Sequence, residues 1–189
     1  MSRTRVTLAA LAIALTASGC AALTGSGSGG ETRQLESPTA TGPRIGGSGY
    51  SYRVPKNWGK PGRTVPGFDP DSAAFDLRDT DEFTDNINVI ASPTGRISPD
   101  EIEDGVQEEL ERTGATDVEV HDRVVIAGEE SAHVSGGSSV NDVDYIVEQY
   151  YVSNDDQTFV VTFSFSPDVP AKKRTRVTDS TLSTWTWNA

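Results

Sequence analysis

The sequence predicts an α+β domain, a mostly antiparallel sheet of about six to seven strands with two main helices laid on it. Three observations predict it. Beyond Gly114 the apolar residues recur with period two, from Val118 and Val120 through Ala132 and Val134 to Phe159, Val161, Phe163 and Phe165. Ahead of them, Ile102, Val106 and Leu110 recur every four residues behind a helix-opening Ser98-Pro99-Asp100-Glu101. Near the end of the chain Val177, Thr181, Leu182 and Trp185 return to helical spacing.

Taken in order, Tyr50 to Val54 reads as a short strand ended by Pro55, and Lys56 to Asp71 as a proline- and glycine-rich loop packed on Trp58. Ala73 to Leu77 and Asn86 to Ala91 follow as strands, the second with Ile87, Val89 and Ala91 alternating. The first helix has Ser98 as N-cap, Pro99 at its first position, Glu101 to close a capping box and Gly114 to end it. Its face with Glu103, Glu108, Glu109 and Glu111 reads as solvated. Val118 to Ile126, a strand through Ala132 and Val134, and the aromatic strand Val143 to Val152 come next. Ser153 to Gln157 turns the chain into Phe159–Phe165, and that hairpin should be the centre of the sheet because it holds the densest apolar side chains. Asp168 is the expected cap of the second helix.

The N-terminus carries an address. Arg3 and Arg5 precede an apolar run over Val6 to Leu15, and Thr16 to Gly19 are small, the order of a secretory signal. About ten apolar residues are too few for a membrane span, which needs about 20. Ala17-Ser18-Gly19-Cys20 resembles the lipobox of bacterial lipoproteins, in which a diacylglyceryl group is attached to the cysteine before cleavage; Ala17 stands where Leu or Val is commoner. Cys20 is the only cysteine, so no internal disulfide can form. Two acyl chains bury enough methylene groups, at about 0.8 kcal/mol each, to hold a protein on a membrane. The expected organisation is a signal over residues 1–19, a lipidated flexible tether over 20–49 and one folded domain over 50–189. The tether is rich in Gly, Ser, Thr and Pro and has a reach of roughly 30 Å. The 16 basic residues, less Arg3 and Arg5, set against 28 acidic ones leave a mature charge of −14. Such charge repels phosphate backbones, so nucleic acid is excluded as a partner.

YSYRVPKNW at 50–58, DNINVIAS at 85–92, the SPDE helix, VVIAGEESAHV at 124–134, FVVTFSF at 159–165 and TLSTWTW at 181–187 occur in that order. Together they resemble the PsbP-like domain of actinobacterial lipoproteins of the LpqN type. The resemblance implies an α/β/α sandwich with a central antiparallel sheet, a lipid anchor on the extracytoplasmic face of the cell membrane, and a non-catalytic binding or accessory role in the envelope. It carries over no catalytic residue.

The chemistry-bearing residues are sparse. His121 and His133 are the only histidines, both out of phase with the apolar residues of their strands, so both should point away from the apolar side. Ser131 and Ser135 share the strand face of His133, but a triad needs a serine on a strained turn. Two separated histidines without a free cysteine offer no zinc site. Asp76, Asp79, Asp81, Glu82 and Asp85 lack the glycine and distant glutamate of a calcium loop and read as a solvated loop. No metal and no cofactor are expected. Lys172, Lys173, Arg174 and Arg176 form a basic cluster in the first turns of the last helix, where the macrodipole disfavours cations. They either pair with acids of the sheet or form a docking patch for an acidic partner or an anionic envelope ligand. The function expected is a tethered, non-catalytic binding module. The alternatives are a carrier or sensor of an apolar or lipid ligand lodged between sheet and helix near Trp58 or Trp185, and a hydrolase using His133.

Overall fold

The computed structural model describes residues 32–61 and 69–188. The signal, Cys20 and the first part of the expected tether lie outside them, as do Gly62 and Pro66 of the loop around Trp58. In chain order the elements are β1 (Thr32–Arg33), β2 (Arg44–Gly46), β3 (Tyr50–Arg53), β4 (Trp58–Gly59), β5 (Ser72–Asp76), β6 (Asn86–Ala91), α1 (Pro99–Arg112), β7 (Thr116–Ile126), β8 (Glu129–Val140), β9 (Val143–Ser153), β10 (Thr158–Phe165), α2 (Ala171–Leu182) and β11 (Thr186–Trp187). No helix among the described residues is long and apolar enough to cross a membrane.

An eight-stranded sheet runs β1-β7-β8-β9-β10-β6-β5-β4, with the β9–β10 hairpin at its middle. Every pairing in it is antiparallel except that of β1 with β7. A second, antiparallel sheet of three strands runs β11-β3-β2. The fold is α+β, but with more strands than the six to seven expected. The additional ones, β1, β2, β4 and β11, are two or three residues long. No period can be read from so few residues, and tertiary pairing alone forms them.

Both faces of the large sheet are covered. Tyr151 of β9, Val160 of β10, and Ala132 and Val134 of β8 meet Ile102, Val106 and Leu110 of α1. Burying those three helix side chains, each at most 4% exposed, contributes about 2 kcal/mol apiece. Alternate residues of the same strands, Tyr150, Val152, Phe159, Val161, Phe163 and Phe165, face Leu182 of α2 and the small sheet. Two-residue turns with positive φ, Ala127-Gly128 and Asn141-Asp142, join β7 to β8 and β8 to β9, the geometry whose twist matches that of the strands.

α1 starts and stops as its sequence dictates. Ser98 Oγ accepts from Glu101 N and Glu101 Oε2 accepts from Ser98 N, the two halves of the capping box. At the other end Gly114 takes φ 95°, its N–H reaches Glu111 O, and Ala115 N–H reaches Leu110 O, a Schellman closure. One acid on the supposed solvated face differs. Glu103 turns back to the sheet and accepts from Arg123 Nε and Nη2 of β7, both at 2.7 Å.

Three further expectations are corrected. Residues 32–49 are not a free tether: β1 adds to the large sheet, Ile45 is 2% exposed in the core, and Ala40 N–H donates to Ser180 O. Their few apolar groups suffice because the backbone is satisfied by neighbouring strands and α2 rather than by water. Asp168 does not cap α2. Pro170 is its N-cap, with no side-chain hydrogen bond, because the turn from Ser166 to Val169 places proline at that point. The uniform alternation expected along β7 is interrupted. Val120 pairs with Val134 and Val124 with Ser131, so an extra residue bulges out between His121 and Val124. The bulge reverses the phase, sending Val118 towards α1 but Val124 and Ile126 to the face under α2.

Candidate functional site

The register of three strands builds a polar cluster on the face that α2 covers. His121 of β7 pairs with His133 of β8, and His133 pairs with Tyr150 of β9. Residues directly opposite share a face and lie closest, and diagonal neighbours remain within reach of long side chains. Ser135 pairs with Glu119 on one side and Glu148 on the other, so these three join the same face. Towards this edge of the sheet α2 offers Arg174 and Asp179 rather than apolar residues, and β1 supplies Arg33. The result is a cleft of about 640 Å³, lined among others by Arg33, Glu36, His121, His133, Glu148 and Arg174.

Its groups hold one another. His133 Nε2 lies 2.9 Å from Glu148 Oε2, and Arg174 Nε donates to Glu148 Oε1 at 3.1 Å. The His133 ring stacks on Tyr150 with centroids 4.2 Å apart, and the His121 ring stands 4.5 Å from it on the other side. His121 Nε2 shares a hydrogen bond of 2.7 Å with Ser135 Oγ, and its Nδ1 is 3.8 Å from Glu119 Oε1. Arg33 donates through both terminal nitrogens to the Asp179 carboxylate, at 3.0 and 3.2 Å. Burial holds His133 below the ordinary histidine range, which leaves a neutral ring at pH 7. Burial alone would push Glu148 up, but hydrogen bonds from His133 and Arg174 outweigh it and keep the carboxyl below its usual value. Among the described residues, His133 Nδ1 is buried without a protein partner.

The histidines were expected to be separated and to point away from the apolar side. They do point away from Val118, Val120, Ala132 and Val134, but they are cross-strand partners, and the face they occupy is itself covered by α2. His133 is 8% exposed. With Glu148 they form a group whose ligand atoms all lie within 4.8 Å of one another. Of the basic cluster, Arg174 is drawn into the cleft by Glu148, so it does not belong to an outward patch. Lys172, Lys173 and Arg176 are exposed. The acidic loop is knitted by its own turns: Asp79 accepts from Asp81 N and Asp85 N, Asp81 from Phe83 N, and the buried Asp85 from Ser166 N.

The place proposed for an apolar ligand is filled by side chains. Trp185 stacks on Tyr50 and Tyr52 at 4.4 and 5.6 Å, and Trp58 is 4% exposed in the same core. A separate gap under α1, beside Leu110, Ala115 and Gly136, measures about 10 Å³, far short of an acyl chain. Two of the cleft's residues carried a readable signal. Glu148 is a lone acid in the middle of the aromatic strand YIVEQYYV, and Asp179 follows Val177 and Thr178 on the helix flank facing the sheet. Arg33, inside a polar segment, carried none.

No protein-family model matches the chain, and no curated protein matches it. Among solved structures, a protein of Bacteroides thetaiotaomicron VPI-5482 is similar at 14% identity and a TM-score of 0.44, over 77% of this chain and 48% of that one. This chain thus spans about half of that protein's length. LpqN of Mycobacterium tuberculosis, described as involved in cell envelope biogenesis, is similar at 16% identity and a TM-score of 0.44, over 71% of this chain and 79% of that one. At such values the functional reading rests on the cleft.

Proposed function

We propose that the chain is a lipid-anchored, non-catalytic binding module of the extracytoplasmic face of the cell envelope, and that it binds through the cleft beside α2. The single observation that carries the reading is the cleft itself. Charged and polar side chains from five elements pair with one another around an open space, so the surface is arranged before any ligand arrives and little ordering entropy remains to oppose binding. Cys20 and the signal before it support the anchor, and the mature charge of −14 leaves the acyl group as the membrane contact.

A hydrolase reading has one attraction, the contact of Ser135 Oγ with His121 Nε2, with Glu119 beyond. Two facts count against it. Ser135 sits in mid-strand, paired on both sides, so the N–H groups that would stabilise an oxyanion are committed to the ladder. The Glu119 side chain is 72% exposed and 3.8 Å away, too loose to fix a tautomer.

A photo-crosslinking residue placed at Glu36 or Asp122 on the cleft rim, in the full chain expressed in its own cells, tests the binding surface. Adducts from those positions and not from Glu108 on α1 are expected. Equal labelling from all three would reject the cleft. Cys20→Ser tests the anchor: the protein should leave the membrane fraction or accumulate as precursor, and retention after a high-salt wash would reject lipidation.

A further inference from the structure

We infer that His121, His133 and Glu148 form a binding site for a borderline divalent metal ion of the Zn²⁺ class. This deepens the reading of the cleft as a binding surface and rests on it, by naming the chemistry of its occupant.

The argument starts from the donor set. Two imidazole nitrogens and one carboxylate oxygen suit Zn²⁺ and its transition-metal neighbours, whereas Ca²⁺ and Mg²⁺ select oxygen ligands. The three donors lie within 4.8 Å of one another. A tetrahedral ion with bonds of about 2.0–2.2 Å keeps its ligands roughly 3.3–3.6 Å apart, so closure needs small side-chain rotations. His121, the more exposed of the two histidines, makes the largest of them. Glu119, 3.8 Å from His121 Nδ1, or a water can take the fourth position.

The surroundings are those of a ligand set held in place. Arg174 fixes one oxygen of Glu148 and leaves the other directed at His133. Tyr150 fixes the plane of His133 by stacking, and Ser135 holds His121. Groups that orient ligands in this way are the ordinary outer shell of metal sites.

The test uses the tag-free full chain in detergent, stripped with a chelator and titrated with Zn²⁺ by calorimetry, with Co²⁺ as a spectroscopic substitute. One ion per chain is expected, with visible d–d bands of low-symmetry Co²⁺. His121→Ala, whose side chain is 29% exposed, should weaken binding at least about tenfold and abolish those bands while the metal-free melting temperature stays unchanged. Glu148→Gln, which keeps the shape of the side chain, should do the same to binding. No uptake, or uptake that both variants retain, overturns the site. Rim crosslinking that persists without metal uptake would leave the cleft as a binding surface and remove only the ion. Metal uptake without any rim adduct would do the reverse.

Discussion

Arg33 and Asp179 stand 146 residues apart in the chain and share a two-pronged ion pair in the wall of the cleft. Asp179 belongs to α2 and its side chain is 4% exposed; Arg33 belongs to a segment whose composition reads as a spacer. One pair therefore fastens the N-terminal segment to the last helix.

Removing one partner of such a pair leaves the other charge buried without compensation, which costs more than the pair is worth in water. Because Arg33 is about one-third exposed, Arg33→Ala should lower the unfolding free energy by about 2 kcal/mol in urea titrations. Adding Asp179→Asn should restore part of that loss. A loss below about 0.5 kcal/mol, the size of an exposed pair, would mean that the segment does not depend on this anchor.

Asp85 gives a pH dependence of known sign. Burial first, then the neighbouring Asp79 and Asp81, raise its carboxyl from 3.8 to about 6. The folded protein thus holds a proton that the unfolded chain has lost between those values, and stability from this group falls as pH rises from about 4 to 6. Asp85→Asn keeps an oxygen for Ser166 N–H and removes the charge. At pH 7 the variant should be more stable by roughly 1 kcal/mol, with the gap closing below about pH 4. Melting curves at pH 4, 5, 6 and 7 check it, and a gap independent of pH would refute the assignment.

Ser98→Ala removes one half of the α1 capping box and leaves the Glu101 N–H without its acceptor. The expected cost is about 1 kcal/mol, because the helix keeps its buried stripe of Ile102, Val106 and Leu110. Amide exchange should speed up first over residues 99–102, while the amides of β9 and β10 stay protected.

Elements specified by neighbouring residues were legible. α1 carries its start, stripe and stop within seventeen residues, from Ser98 to Gly114, and β10 shows its central place through its own aromatic alternation. The cleft is non-local, and a single inserted residue decides it. From the Ala127-Gly128 turn outward, Val125 opposes Glu130 and Val124 opposes Ser131. Continued unbroken, that register would set His121 opposite Val134. The bulge shifts it by one, so that His121 meets His133. Period-two reading cannot see such a shift, because Val118, Val120, Val124 and Ile126 keep one parity through it while the face they occupy changes. The pairing of Arg33 with Asp179 was equally hidden, since parallel addition of two residues to a sheet edge leaves no pattern.

Trp185 separates the packed interior from the alternative of a lipid-carrying pocket. Tyr50 and Tyr52 lie two apart on one face of β3, their hydroxyls meet Ser72 Oγ at 2.7 and 3.2 Å, and the indole stacks on both rings within 8° of parallel. If this cluster is core, Trp185→Ala opens a cavity and should cost about 4 kcal/mol in denaturant titrations. Trp185→Phe should cost about 1–2 kcal/mol, because the buried indole Nε1 has no partner among the described residues and its loss breaks no hydrogen bond there. A pocket lined by Trp185 behaves otherwise: truncation enlarges the space for the ligand, stability falls by less than about 1 kcal/mol, and a lipid bound in detergent survives or increases in native mass spectra. Measuring unfolding free energy and co-purifying lipid on the same two variants decides between them, and the stacking geometry predicts the first outcome.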